Sequence, residues 1–172
     1  MLAAIVSVAL ILLAALTASQ GTLSSTSLLS ESWKAMEERS GEISRTAIEA
    51  SGVSVLDNGA TVEATIANGG SVRLNDFEEW DLALQYYDDN GDYRISWLPY
   101  TSSAPGSNEW TVAGIYLAGT ITPEVYEPGI LNPGEEMVVQ VKPDPGVGRK
   151  TTNQLVVGTP NGVTTSAIFV RN

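Results

Sequence analysis

The chain has 172 residues, a net charge of −11, and neither cysteine nor histidine. This excludes a disulfide framework, thiolate metal sites, cysteine nucleophiles, serine triads and the usual zinc hydrolase sites, so carboxylate chemistry is the catalytic option left open. The nine basic residues are scattered and form no patch, which argues against a nucleic-acid partner. An acidic, Ser/Thr/Gly-rich surface suits an extracellular face and keeps crowded copies dispersed until specific contacts join them.

The run Met1–Ala18 is almost wholly apolar, contains no Pro or Gly, and is rich in the strong helix formers Ala and Leu. The first charged side chain is Glu31. Eighteen helical residues span roughly 27 Å, close to the apolar thickness of a bilayer. A helix apolar on every side must be buried in lipid or among other helices. The alternative is a removable signal peptide. No Lys or Arg precedes the run, as such a peptide needs, and Leu16-Thr17-Ala18 is a poor cleavage site. The segment is therefore expected to stay in the working protein.

Leu29, Trp33, Met36, Ser40, Ile43 and Ala47 step by four and three residues, as an a/d seam does. Lys34/Glu38 and Arg45/Glu49 stand as i,i+4 pairs of opposite charge. Gly21 is an expected point of softening, and Gly52 an expected stop. The pattern predicts one helix over residues 1–50, apolar in 1–18 and an amphipathic stalk in 19–50.

From residue 51 the period changes to two. Strands are predicted at Val53–Leu56, Thr61–Ala67, Ser71–Leu74, Trp80–Tyr87, Tyr93–Leu98, Trp110–Leu117, Glu136–Lys142, Gln154–Thr159 and Thr164–Val170. Asn58-Gly59, Asn68-Gly69, Asn90-Gly91 and Asn161-Gly162 read as type I′ hairpin turns. The predicted class is α+β: a long N-terminal hydrophobic helix followed by an antiparallel immunoglobulin-like β-sandwich over 51–172. Trp80, Tyr86, Trp97, Trp110 and Ile115 are the expected core.

Two acidic segments invite chemistry. Asp88, Asn90 and Asp92 alternate as calcium ligands do, but Gly91 and Pro99 stand where an EF-hand needs other residues, so a polar hairpin tip is expected. Glu78, Glu79 and Asp81 could form a glycosidase-type pair. Neighbours on a strand face opposite ways, so a solvated turn is expected instead. The expectation is a protein without cofactor, metal or enzymatic activity.

An apolar N-terminal helix running into an amphipathic stalk and then one β-sandwich resembles archaeal-type members of the type IV pilin superfamily, particularly archaellins. The resemblance is carried by Met1–Ala18, by the stalk Leu29–Ala50, and by the segments Glu127–Glu136 and Thr159–Phe169, the first containing a Leu-Asn-Pro-Gly-Glu turn before an alternating strand. It implies a precursor with a short basic leader, inserted in the membrane and cut before Met1 by a prepilin-type peptidase. It also implies export into a homo-oligomeric helical filament outside the cell, with helices in the core and sandwiches outside. Ile5 departs from the Glu of common bacterial pilins and agrees with the archaeal type. Ala3, Ala4, Ser7, Ala9, Ala14, Ala15 and Ala18 would allow close helix approach. The residues expected to carry assembly are Met1, Leu2, Ala4, Ile5, Val8, Ala9, Leu12, Leu13, Leu16, Leu29, Trp33 and Met36. Swimming motility is the leading role. The alternatives are an adhesive pilin using Trp97–Tyr100 and the 102–107 loop, and a membrane-anchored stator or accessory protein.

Overall fold

The computed structural model describes residues 6–7, 10–13, 25–120 and 122–172. The chain forms two compact units, Met1–Gly41 and Glu42–Asn172.

Helix α1 spans Leu2–Arg45. Within it Lys34 and Glu38 pair at 3.9 Å with both side chains exposed, an interaction that contributes a few tenths of a kcal/mol (~0.3) in water. The predicted helix to residue 50 is too long. The Thr46 amide and hydroxyl each donate to the Glu42 carbonyl at 3.0 Å, closing the last turn. Ile48, Glu49 and Ala50 then pair with Asn68, Ala67 and Ile66. Sheet pairing here overrides a locally helical pattern. Arg45 and Glu49 therefore sit on different elements, and Ala47 leaves the seam. Gly52 ends no helix: it takes φ 58° at a bulge between Ser51 and Ser54, a conformation glycine adopts without strain. The softening expected at Gly21 lies outside the described residues.

The second unit is an antiparallel β-sandwich of two four-stranded sheets. Its strands are β1 (Ile48–Leu56), β2 (Thr61–Asn68), β3 (Asp81–Tyr87), β4 (Tyr93–Leu98), β5 (Glu109–Leu117), β6 (Glu135–Lys142), β7 (Thr152–Gly158) and β8 (Thr164–Val170). One sheet has the order β1-β2-β6-β5 and the other β4-β3-β7-β8. Ser71–Leu74, predicted as a strand, contributes only a bridge in which Leu74 and Leu131 exchange hydrogen bonds of 3.1 and 2.7 Å. The alternating residues Val62, Ala64 and Ile66 of β2, Leu82, Leu84 and Tyr86 of β3, Met137, Val139 and Val141 of β6, and Leu155 and Val157 of β7 are buried between the sheets. Period two thus delivers one face of each strand to a common core.

Of the expected core, Trp80, Tyr86, Trp110 and Ile115 are buried, whereas Trp97 is 64 % exposed. Strand β4 is inverted relative to its sequence pattern. Its register sets Leu98 opposite Leu82, Ser96 opposite Leu84 and Arg94 opposite Tyr86, so Tyr93, Ile95 and Trp97 face outward. A shift of one residue would reverse every side chain on the strand. The register is held at the turn, where Arg94 reaches the buried Asp88.

Three of the four Asn-Gly pairs are hairpin turns. Asn58 and Gly59 both take positive φ between β1 and β2. At Asn90-Gly91 and Asn161-Gly162 only the glycine does. In both, the glycine amide returns to the carbonyl three residues back, at 2.9 Å. These two are therefore type I turns closed by a left-handed glycine, not the expected type I′. Asn68-Gly69 is no hairpin. The buried Asn68 amide donates to the Val72 and Leu131 carbonyls, each at 2.9 Å, and its carbonyl accepts from Gly70 at 3.0 Å. It is a splice between the end of β2 and two loops. Asn68→Ala strands these backbone groups, so we expect a loss of about 3 kcal/mol, read as a lower urea midpoint with an unchanged slope.

Candidate functional site

The residues expected to carry assembly lie on α1. Met1, Leu2, Ala4, Ile5, Val8, Ala9 and Leu16 fall outside the described residues, as does most of the predicted membrane span. Among the described residues no helix is long and apolar enough to cross a membrane. Val6, Leu10, Ile11, Leu12 and Leu13 are exposed, as are Leu28, Leu29, Trp33 and Met36, the last two at 75 %. Leu29, Trp33 and Met36 share one helical stripe by their spacing of four and three. Glu31, Lys34 and Glu38 lie on the other sides, and Glu37 flanks the stripe four residues after Trp33. The stalk therefore presents an apolar ridge to its surroundings.

The segment Asp88–Asp92 is the turn between β3 and β4. The Asp88 carboxylate points inward. One oxygen accepts from the Asn90 and Asp92 amides at 2.9 and 3.0 Å, and the other from Arg94 Nε at 2.8 Å. These donors take most of the carboxylate's acceptor sites and fix the turn. Asp89, on the outside, accepts from the buried Arg171 at 3.0 Å. The second acidic segment, Phe77–Glu79, is a 3-10 turn in which Phe77 is buried and Glu78 and Glu79 are exposed. Phe77 meets Trp80 edge to face at 5.4 Å, and Trp80 Nε1 donates to the Asn75 carbonyl at 3.0 Å. Its aromatic residues anchor the turn and its carboxylates face water. Asp81 accepts from Trp97 Nε1 at 2.9 Å.

Of the outward residues of β4 and β8, the sequence singles out only Trp97 as a candidate surface residue, within the adhesive alternative. The alternation Tyr93-Arg-Ile-Ser-Trp97 signals an amphipathic strand, but sequence logic turns its apolar side inward.

The Arg94 guanidinium beside Asp88, aided by the Asp92 and Asn90 amides, holds its carboxyl below the usual carboxylate range. A carboxyl depressed in the folded state stabilises the fold above its unfolded pKa, near about 4, and loses that effect as pH falls through the folded value. Asp88→Asn should therefore lower the urea midpoint at pH 7, and the gap from the parent should close as the pH is taken below about 4. A gap that stays constant with pH would refute this role.

No protein-family model matches the chain, and no curated protein matches it. Among solved structures it is similar to archaeal flagellin FlaB1 from Methanocaldococcus jannaschii, with 14 % identity and a TM-score of 0.55 over 73 % of this chain and 90 % of that one. It is also similar to the archaellum periplasmic stator protein FlaG from Sulfolobus acidocaldarius, with 19 % identity and a TM-score of 0.52 over 72 % of this chain and 99 % of that one. The archaellum periplasmic stator complex of FlaF and FlaG from the same organism gives 18 % identity and a TM-score of 0.52 over 71 % of this chain and 87 % of that one. At such identities the likeness is one of fold. The chain has an archaellin-like fold, which archaellum filament and stator proteins share.

Proposed function

We propose that this chain is a structural, non-enzymatic subunit of an archaellum-type helical filament at the cell surface, assembled through α1. The observation that carries the reading is the uncovered apolar surface of that helix. Val6, Leu10, Ile11, Leu12, Leu28, Leu29, Trp33 and Met36 are each more than half exposed. Covering eight such side chains is worth on the order of 10 kcal/mol, as much as the whole stability of a typical domain. A chain of this design needs neighbours. The archaellin-like fold of the sandwich supports an archaellum-type assembly as their source.

In this reading the apolar N-terminal half of the helix is held in the membrane before assembly, after a prepilin-type peptidase removes a leader. It then exchanges lipid neighbours for identical helices. The exchange costs little hydrophobic energy, because lipid tails and packed leucines are equally apolar; packing decides it. The acidic sandwich stays outside in water. Swimming motility is the role assigned to the filament.

The test is electron microscopy and mass spectrometry of filaments sheared from the native host. Filaments built chiefly of this chain would support the reading. Recovery of the chain only from the membrane fraction, in small assemblies, would favour a stator role instead. Loss of surface attachment with normal swimming on gene deletion would favour an adhesive pilin. Leu12→Asp places an unpaired carboxylate in the proposed dry core, a cost of about 3 kcal/mol per copy. Filament yield should fall roughly a hundredfold, counted on grids against the parent. A normal yield would rule out the buried-core arrangement.

A further inference from the structure

Strand alternation gives each sheet an inward and an outward face. On the β1-β2-β6-β5 sheet the outward face carries Glu49, Glu63, Glu136 and Lys142, as a solvated face does. The outward face of the β4-β3-β7-β8 sheet differs. At one edge β4 turns out Ile95 and Trp97, 65 % and 64 % exposed, and at the other β8 turns out Ile168, 71 % exposed. The two central strands turn out Ala83, Gln85, Gln154 and Val156, all half-buried. The register aligns Ile95, Gln85, Gln154 and Ile168 in one row and Trp97, Ala83, Val156 and Ser166 in the next.

The edge strands of the face are thus the more exposed and its central strands the more covered. Three strand spacings make it about 14 Å across, and an α-helix with its side chains is about 10–12 Å wide. Its carboxylate, Asp81, lies at one end and is tied to Trp97 Nε1 at 2.9 Å. In a chain of net charge −11, a face whose one carboxylate lies at its end is where another copy meets least repulsion.

The same chain carries a ridge of matching chemistry, the stalk stripe Leu29, Trp33 and Met36, 60 %, 75 % and 75 % exposed. Its charged neighbours Glu31, Lys34 and Glu38 project from the other sides of the helix, and Glu37, four residues after Trp33, flanks the stripe.

Building on the filament-subunit reading, we propose that the outward face of the β4-β3-β7-β8 sheet receives the Leu29–Met36 stripe of a second copy. Stripe onto sheet face is a heterologous contact, and each joined copy keeps one free stripe or one free face to offer the next, which gives an open array. Four strands by five residues make about 300 Å², well below the ~800 Å² per partner of a stable pair. The contact therefore works only alongside another that already brings copies together, and here that is helix packing in the core.

The absence of cysteine makes cross-linking clean. Two differently tagged full-length copies, one Trp33→Cys and one Gln85→Cys, are co-expressed in filament-bearing cells and oxidised. A mixed disulfide dimer is expected. Pairing Trp33→Cys with Thr65→Cys, on the opposite, acidic sheet, should give little. Adding Ile95→Lys to the Gln85→Cys copy should cut the dimer about tenfold, with unchanged circular dichroism because Ile95 lies outside the core. Filaments without mixed dimer above the Thr65→Cys level would overturn the contact and leave the subunit reading standing. If the unmodified chain forms no filaments, the subunit reading fails. The contact, which needs helix packing in the core, then falls with it. Closure of both cysteines within one doubly substituted chain, in excess cysteine-free copies, would also overturn it.

Discussion

Everything in the β-sandwich depends on burying one phase of eight strands between two sheets. No disulfide clamps them, so apolar contact among residues such as Ile66, Leu84, Met137 and Leu155 must hold the layers together. Loops obey the same constraint. Asn68 is buried, and is tolerated there because its amide satisfies three backbone groups that the ends of β2 and two loops would otherwise leave unpaired. Trp80 and Tyr86 likewise bury their rings while handing their polar atoms to the Asn75 and Pro145 carbonyls.

The β3–β4 turn shows how a small polar cluster reaches a large surface. Asp88 accepts from two turn amides and from Arg94. That arrangement fixes the register of β4, and the register decides which side of the strand meets water. Outward Tyr93, Ile95 and Trp97 follow from it. Arg94 and Ser96, the residues a pattern reading would place in water, are half-buried instead. The hairpin is thus both a structural joint and the reason an aromatic, aliphatic face exists on an acidic protein.

Helix and sandwich pose the same physical problem in different forms. The helix has exposed apolar side chains, and the β4-β3-β7-β8 sheet has an outward face with a single carboxylate at its end. Each is costly alone in water, and each becomes an asset when copies crowd together. The acidic remainder of the surface opposes indiscriminate association, so only faces poor in charge can join. This division of labour fits a subunit that must stay dispersed until assembly and then pack tightly.

The sequence by itself determined the switch from helical to two-residue periodicity, most strand positions, and the hairpin sites at Asn58, Asn90 and Asn161, because these rest on local chemistry: side-chain alternation and glycine's access to positive φ. It also placed Trp33 and Met36 on one stripe with Leu29, since helical spacing is local. Only the tertiary structure decided where the helix stops. Pairing with β2 draws Ile48–Ala50 into a strand, and no helical pattern in that stretch could anticipate a partner twenty residues on. Only the tertiary structure, too, turned Trp97 outward and made Asn68 a splice instead of a turn. Those outcomes depend on register and on buried partners distant in sequence, and a register is a property of two strands together, never of one read alone.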